Sequence, residues 1–546
     1  MMTKGRIRAI AVAACVATML TGCSGRIPTS SSNDSASLIN LSPNTPAASG
    51  GVDSATWALY RDPTTLDPAT AFDYPENTVI ATMCDALLRQ KPDGSIASGL
   101  ASEYRYRTPT ALALTIRPGV TFWDGKPLTA DDVVFSLERN RDPKLGGFYG
   151  KVFDRVSTIT AEDAKTVLIT LTQPDYWLTG ELSAMPGIVV EKAFAQQQGQ
   201  KFGTPDGGTM CTGPYRLAKW TPGESLKLAA NSAYWDSTLT PLTKNIAFKG
   251  IPDAATLTTG LTTGEIDGSW ITDTSNLSQL QRTSTVSVHS GPTLETEFLI
   301  PSNLTGVLGD IRVRQALSLA FDRRSFINAA YAGNALEPRL STNPGTWGYA
   351  KDSFNAAWNA APEVTRDLDR AKQLIREAGA TGKPLVIGTS TGMATVATVS
   401  NAWLEVATAI GLDAKLSNVS PENYINFFTD PKAREGVDAF STTTYGDYAD
   451  PAALISTYVL PGGNQNYSGY ENPALTDLLN AARAEADPAA RARDVIEAEK
   501  LVMHDLPWIP VAHPTSFLVL NNKLTGAPTS FCYMQSPALA MLGARG

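Results

Sequence analysis

The sequence predicts an α/β protein of at least two lobes, and three observations carry that expectation. Its 546 residues exceed what one hydrophobic core usually serves. From residue 55 onward, short apolar runs alternate with segments of helical periodicity. Hydrophobic residues at 43% and charged residues at 18% match a globular chain, neither disordered nor fibrous.

Taken in order, residues 55–68 (ATWALYRDPTTLDP) predict a strand that runs into a Pro-rich loop, and residues 74–88 (YPENTVIATMCDALL) a helix. Residues 111–140 predict a strand, a turn at Asp124-Gly125 and a helix. Thr129 with Asp132 three residues on has the capping-box spacing that opens this helix. TVLITL (166–171) is β-branched and strand-like. Residues 211–235 suit a hairpin turned at Pro222-Gly223, and residues 261–270 (LTTGEIDGSW) a helix end, a Gly turn and a new strand. Past residue 290 the units lengthen. Residues 311–330 place Val313, Ala316, Leu317, Ala320 and Phe321 on one helical face. Residues 367–379 group Leu368, Ala371, Leu374, Ile375 and Ala378, with Gly379 as the C-cap. LVIG (385–388), residues 398–411 and LDAKLSNV (412–419) form a βαβ unit, right-handed by rule. A last helix starts at Asp487-Pro488, and the apolar WIPVAH and SFLVL close the chain as strands. There is no internal repeat.

Charge and cysteine content narrow the function. Acidic residues outnumber basic ones 53 to 45, a net charge of −8, and no basic cluster follows residue 8, so nucleic acid is not an expected partner. No CxxC occurs, and the three histidines (289, 504, 513) include no i,i+4 pair, so neither a metal site nor a cofactor is expected. Lys4, Arg6 and Arg8 precede an apolar run over residues 9–20, which is too short to span a bilayer. The run ends in Leu20-Thr21-Gly22-Cys23, which resembles the bacterial lipobox: residues 1–22 would be a lipoprotein signal peptide and Cys23 the lipidated N-terminus. Residues 24–51, rich in Ser, Pro, Asn and Gly, read as a flexible tether. Of Cys84, Cys211 and Cys532, at most two pair; Cys211 with Cys84 and Cys211 with Cys532 are both open.

The candidate site is the run STTTYGDYADPA at 441–452. Tyr445, Asp447, Tyr448 and Asp450 crowd a stretch that Pro451 biases toward a turn. Asp450 reads as the N-cap of a helix starting at Pro451. Asp447, an acid among aromatic rings, suits a ligand ammonium. Gly388-Thr389-Ser390-Thr391-Gly392 matches G-x-S-x-G after a strand and before a helix, yet no HGGG-type oxyanion loop precedes it. The better reading is a βα turn whose Ser390 and Thr391 offer hydroxyls and backbone N–H groups to a ligand.

Ten stretches now fall into a familiar order: TLDP (65–68), FWDGKPLTADDVVFSLER (122–139), CTGPYRL (211–217), NSAYW (231–235), GEID (264–267), VRQALSLAFDRRSFI (313–327), DLDRAKQLIREAG (367–379), GDYADP (446–451), NYSGYENP (466–473) and VMHDLPWIPVAH (502–513). With them, residues 55–540 resemble the bacterial ABC-transporter solute-binding family for dipeptides and oligopeptides. The resemblance implies a two-lobed, periplasmic-binding-protein-like clamp with an extra subdomain. Lobe I would hold residues 52–290 and 509–546, with the subdomain at about 72–210, and lobe II residues 291–508, with two chain crossings as the hinge. Short peptides would lie extended in the cleft and pass to an ABC permease and its ATPase subunits, the receptor acting as a monomer held to the membrane by its lipid. By the same resemblance Asp447 receives the peptide α-ammonium, with Thr444, Tyr445 and Gly446 around it. Where family members often carry Trp, this chain has Thr444. The loop in which dipeptide-specific members place an Arg for the ligand carboxylate is GTSTGMATVA (388–397) here, without a basic residue, so peptides longer than two residues are expected. Haem or another small molecule bound by the same fold, and an exported serine hydrolase using Ser390, are the competing readings.

Overall fold

The computed structural model describes residues 41–546. The leader, the lipobox and Cys23 lie outside the described residues. Two large sheets define two lobes. The first has seven strands in the order Val286–Gly291, Ser516–Asn521, Gly268–Ile271, Val52–Leu59, Thr243–Gly250, Ser225–Ala230 and Tyr215–Thr221. The second has six: Ala335–Leu336, Ile509–Pro514, Glu295–Pro301, Ala439–Tyr445, Pro384–Thr389 and Asp413–Asn418. A third unit grows out of the first lobe, a four-stranded antiparallel sheet spanning Ala101–Thr108 to Thr166–Leu171, with its own core of Leu87, Leu114, Val133, Leu137 and Ile169.

The chain passes between the large sheets twice, at residues 292–294 and at Thr515. The second crossing departs from the boundary expected at 509. Ile509–Pro514 pairs with Glu295–Pro301 in the second sheet, and only Ser516–Asn521 returns to the first. A single buried residue, Thr515, separates two wholly different sets of strand partners.

Local signals act where the chemistry demands them. The capping box is formed, with Thr129 Oγ1 accepting from Asp132 N and the Asp132 carboxylate accepting from Thr129 N at 3.0 Å. Gly264 ends its helix in the left-handed region at φ 81°. Strands Pro384–Thr389 and Asp413–Asn418 pair in parallel around helix Ala394–Ala409, the expected βαβ unit.

Three local expectations change. Residues 311–330 form two helices, Ile311–Ala320 and Arg323–Tyr331, because Asp322 leaves the helix and accepts from Ser325 N at 3.0 Å as a new N-cap. The helix expected over 74–88 stops at Met83, where Cys84 turns extended and is bridged to Cys211. That bridge resolves the pairing, and Cys532 stays buried as a thiol. The described end of the tether is no tether: Thr45 Oγ1 donates to Ala527 O at 2.7 Å and Ala544 N to Gly50 O at 2.8 Å, pinning residues 42–51 to the C-terminal segment.

Candidate functional site

The seam between the lobes is built around the end of strand Ala439–Tyr445. This strand takes the first five residues of the 441–452 run, so the loop begins at Gly446, later than the turn expected from sequence. Antiparallel pairing sets Thr444 against Thr296 and Tyr445 against Glu295. Thr444 is buried in that ladder. Tyr445 reaches across the seam: its hydroxyl donates to Phe72 O at 3.2 Å, and its ring meets Tyr74 at 5.1 Å and Phe531 at 4.9 Å. Gly446 is required by space, since a Cβ would lie 2.9 Å from Ala453 Cβ and 3.0 Å from Leu454 N.

Asp447 follows. Gln535 Nε2 donates to its Oδ1 at 3.2 Å, and Gln90 Nε2 donates to its backbone O at 2.6 Å. The residue is half-buried. Protein nevertheless surrounds it closely enough that desolvation pushes the carboxyl up to about 7, against the Gln535 bond. Asp450 takes the capping role: its Oδ1 accepts from Ala452 N at 2.9 Å and from the Tyr349 hydroxyl at 3.3 Å. Burial pushes it up to about 6.

Ser390 and Thr391 lie at another corner, beyond the end of strand Pro384–Thr389. Thr391 is exposed, and its N–H donates to Asn418 Oδ1 at 2.9 Å. Ser390 is buried, and its hydroxyl has no hydrogen-bond partner. The histidines are engaged elsewhere: His513 with Thr296 and Leu340 O, His289 with Ser287, and His504 with Asp505. A serine nucleophile needs a base within hydrogen-bond reach, and Ser390 has none among the described residues.

Sequence reasoning missed four residues that reach the Asp447 corner: Gln90, Tyr149, Glu181 and Gln535. Gln90 and Gln535 are 357 and 88 residues from Asp447 and carry no local signal. Glu181 had one, an acid set in the apolar run WLTGELSAMPGIVV. Burial raises its carboxyl well above the usual range, and Asp447 adds to the rise. Side-chain bonds join the lobes. Tyr74 donates to Glu295, and Arg483 pairs with Asp175 at 2.6 Å and Asp154 at 2.7 Å. Arg155 donates to Asn480 Oδ1 at 2.6 Å.

Residues 96–466 match the family described as bacterial extracellular solute-binding proteins, family 5 Middle. The chain belongs to this family. Its relatives are substrate-binding transport proteins, not enzymes. Among family 5 relatives, the periplasmic murein peptide-binding protein MppA of Escherichia coli (strain K12) is 28% identical over 525 residues, covering 90% of this chain and 94% of that one. The probable D,D-dipeptide-binding periplasmic protein DdpA of the same organism is 26% identical over 513 residues, covering 89% and 94%. Among solved structures, the periplasmic binding protein DppA from Helicobacter pylori, in complex with the peptide STSA, superposes with a TM-score of 0.79 at 21% identity, over 91% of this chain and 99% of that one. This likeness supports the two-lobed fold. No helix among the described residues is long and apolar enough to cross a membrane.

Proposed function

We propose that the protein is the extracytoplasmic receptor of an ABC importer, held to the cell membrane through a lipid on Cys23, and that it captures short peptides and hands them to a membrane permease. One observation carries the reading of the site: Asp447, a half-buried carboxyl at the interlobe seam, has no ion-pair partner among the described residues. A peptide α-ammonium supplies that partner, and the charge-assisted bond strengthens in the low dielectric of the closed seam. Periplasmic peptide-binding relatives support the ligand class.

The loop 388–397 has no basic residue to clamp a ligand carboxylate. Affinity then comes from the ammonium and from backbone bonds, and the reading favours ligands longer than dipeptides. Calorimetry with alanine peptides of two to five residues tests it. Rising affinity from two to four residues is expected; tightest binding to the dipeptide would refute the length preference. The anchor has a separate test: intact mass of the membrane-extracted protein should show acylation that Cys23→Ala abolishes.

A further inference from the structure

Asp447 has an acidic companion from the opposite lobe. Glu181 ends the short helix Leu178–Glu181, next to Gly180, whose site is so tight that a Cβ would run into the Tyr448 ring. Gln535 stitches the corner together, donating to Asp447 Oδ1 at 3.2 Å while its Oε1 accepts from Met185 N at 3.1 Å. Two carboxyls, one on each side of the seam, thus share one environment. Glu181 Oε2 is enclosed and has no hydrogen-bond partner. Neither acid has an ion-pair partner among the described residues, and the neighbouring Arg483 is already paired with Asp154 and Asp175.

The surrounding polar groups point the same way. Tyr149 is 2% exposed and Tyr448 4%, and the Tyr448 hydroxyl has no hydrogen-bond partner among the described residues. Tyr149 feels the charges of both Asp447 and Glu181, and Tyr448 that of Glu181. Asn77 is wholly buried, with its side-chain amide beside the Tyr149 hydroxyl. Buried phenols, an amide and two like-charged acids make an unfavourable assembly unless positive charge enters it. One ammonium answers Asp447. It leaves Glu181 either ionised alone or protonated, with its own O–H still to be accepted.

We propose that the site selects peptides whose first residue carries a second positive charge, the α-ammonium meeting Asp447 and the cationic side chain of a lysine- or ornithine-like residue meeting Glu181. This rests on the reading of Asp447 as the ammonium receptor and extends it to the identity of the first residue. A dication supplies the positive charge that lets both carboxyls ionise inside the seam, so the ligand shifts the population toward the closed form by its own charge.

Calorimetry with Lys-Ala-Ala and norleucine-Ala-Ala, nearly equal in shape but differing by one charge, tests the proposal in the wild type, Glu181→Gln and Asp447→Asn. The lysine peptide should bind the wild type at least about tenfold more tightly. Glu181→Gln should erase that gap by weakening the lysine peptide alone, and Asp447→Asn should weaken both. Affinities within about twofold in the wild type overturn the proposal, as does a gap that survives Glu181→Gln or a Glu181→Gln variant that weakens both peptides equally. Those results leave the ammonium reading of Asp447 standing. Unchanged binding of both peptides to Asp447→Asn removes that reading, and the second-cation proposal falls with it. Thermal melts of each variant identify loss of binding through misfolding, and Glu181→Asp, which keeps the charge, should then restore part of the gap.

Discussion

A carboxyl pushed up to about 7 binds protons and ammonium groups in competition. Acid should therefore weaken peptide binding by up to about tenfold per pH unit below about 7, as Asp447 takes a proton and loses the charge that the ligand needs. Above about 8 the peptide α-amine itself deprotonates, so affinity should peak between the two limits. Calorimetry across pH 5.5–9 in the wild type and Asp447→Asn checks this. The variant should lose about 2–5 kcal/mol at pH 7.5 and show no acid limb. Asp450, three residues on and chemically identical, takes no part in this expectation. Its carboxyl is committed to Ala452 N at the start of a helix, and the sequence marks that role through Pro451. For Asp447 the sequence supplied the family motif but no donor partners, because Gln90 and Gln535 arrive from far along the chain.

Among the elements, the short helix Leu178–Glu181 decides how closely the four-stranded unit approaches the Gly446–Asp450 loop. Gly180 is the contact point, with the Tyr448 ring occupying the space where a Cβ would stand. Gly180→Ala should hold the lobes apart while leaving each one folded. Peptide affinity should drop at least about tenfold with little change in melting temperature. Small-angle scattering should show that the ligand no longer compacts the protein, and a wild-type response would rule this contact out as a limit on closure. Helix and strand types were mostly legible because periodicity and caps are local, as at Thr129 and Asp132. The break at Asp322 was not legible. A helical face runs through Phe321, and the choice between continuing the helix and starting another depends on how Arg323–Tyr331 packs in the core.

At the scale of the molecule, several buried acids carry a stability cost. Burial pushes Glu499 up to about 8 and Glu297 up to about 7, alongside Asp447 at about 7 and Asp450 at about 6. Each lies above its unfolded value near 4, so its contribution is fully present below about pH 4 and lost as pH rises through the folded value. The unliganded melting temperature should therefore fall between about pH 5 and pH 8. Glu499, which accepts a hydrogen bond from the Thr342 hydroxyl, gives a clean test. Glu499→Gln keeps size and polarity, so it should melt higher than the wild type at pH 8.5, by a few kcal/mol of stability, and converge with it near pH 5. Equal melting temperatures at pH 8.5 would show that the site relaxes around the charge.

What the sequence alone determined was local or compositional: the alternation of strands and helices, two lobes, the βαβ unit and the acidic turn ahead of Pro451. Each follows from neighbours a few residues apart, where propensity, capping and periodicity act. Tertiary structure decided the crossing at Thr515, the Cys84–Cys211 bridge and the packing of the Gly180–Met185 segment, through the Tyr448 ring and Gln535, against the Asp447 loop. These depend on which distant surfaces the core brings together. Pairing across hundreds of residues is set by burial and shape complementarity between whole elements, a quantity no short stretch of sequence contains.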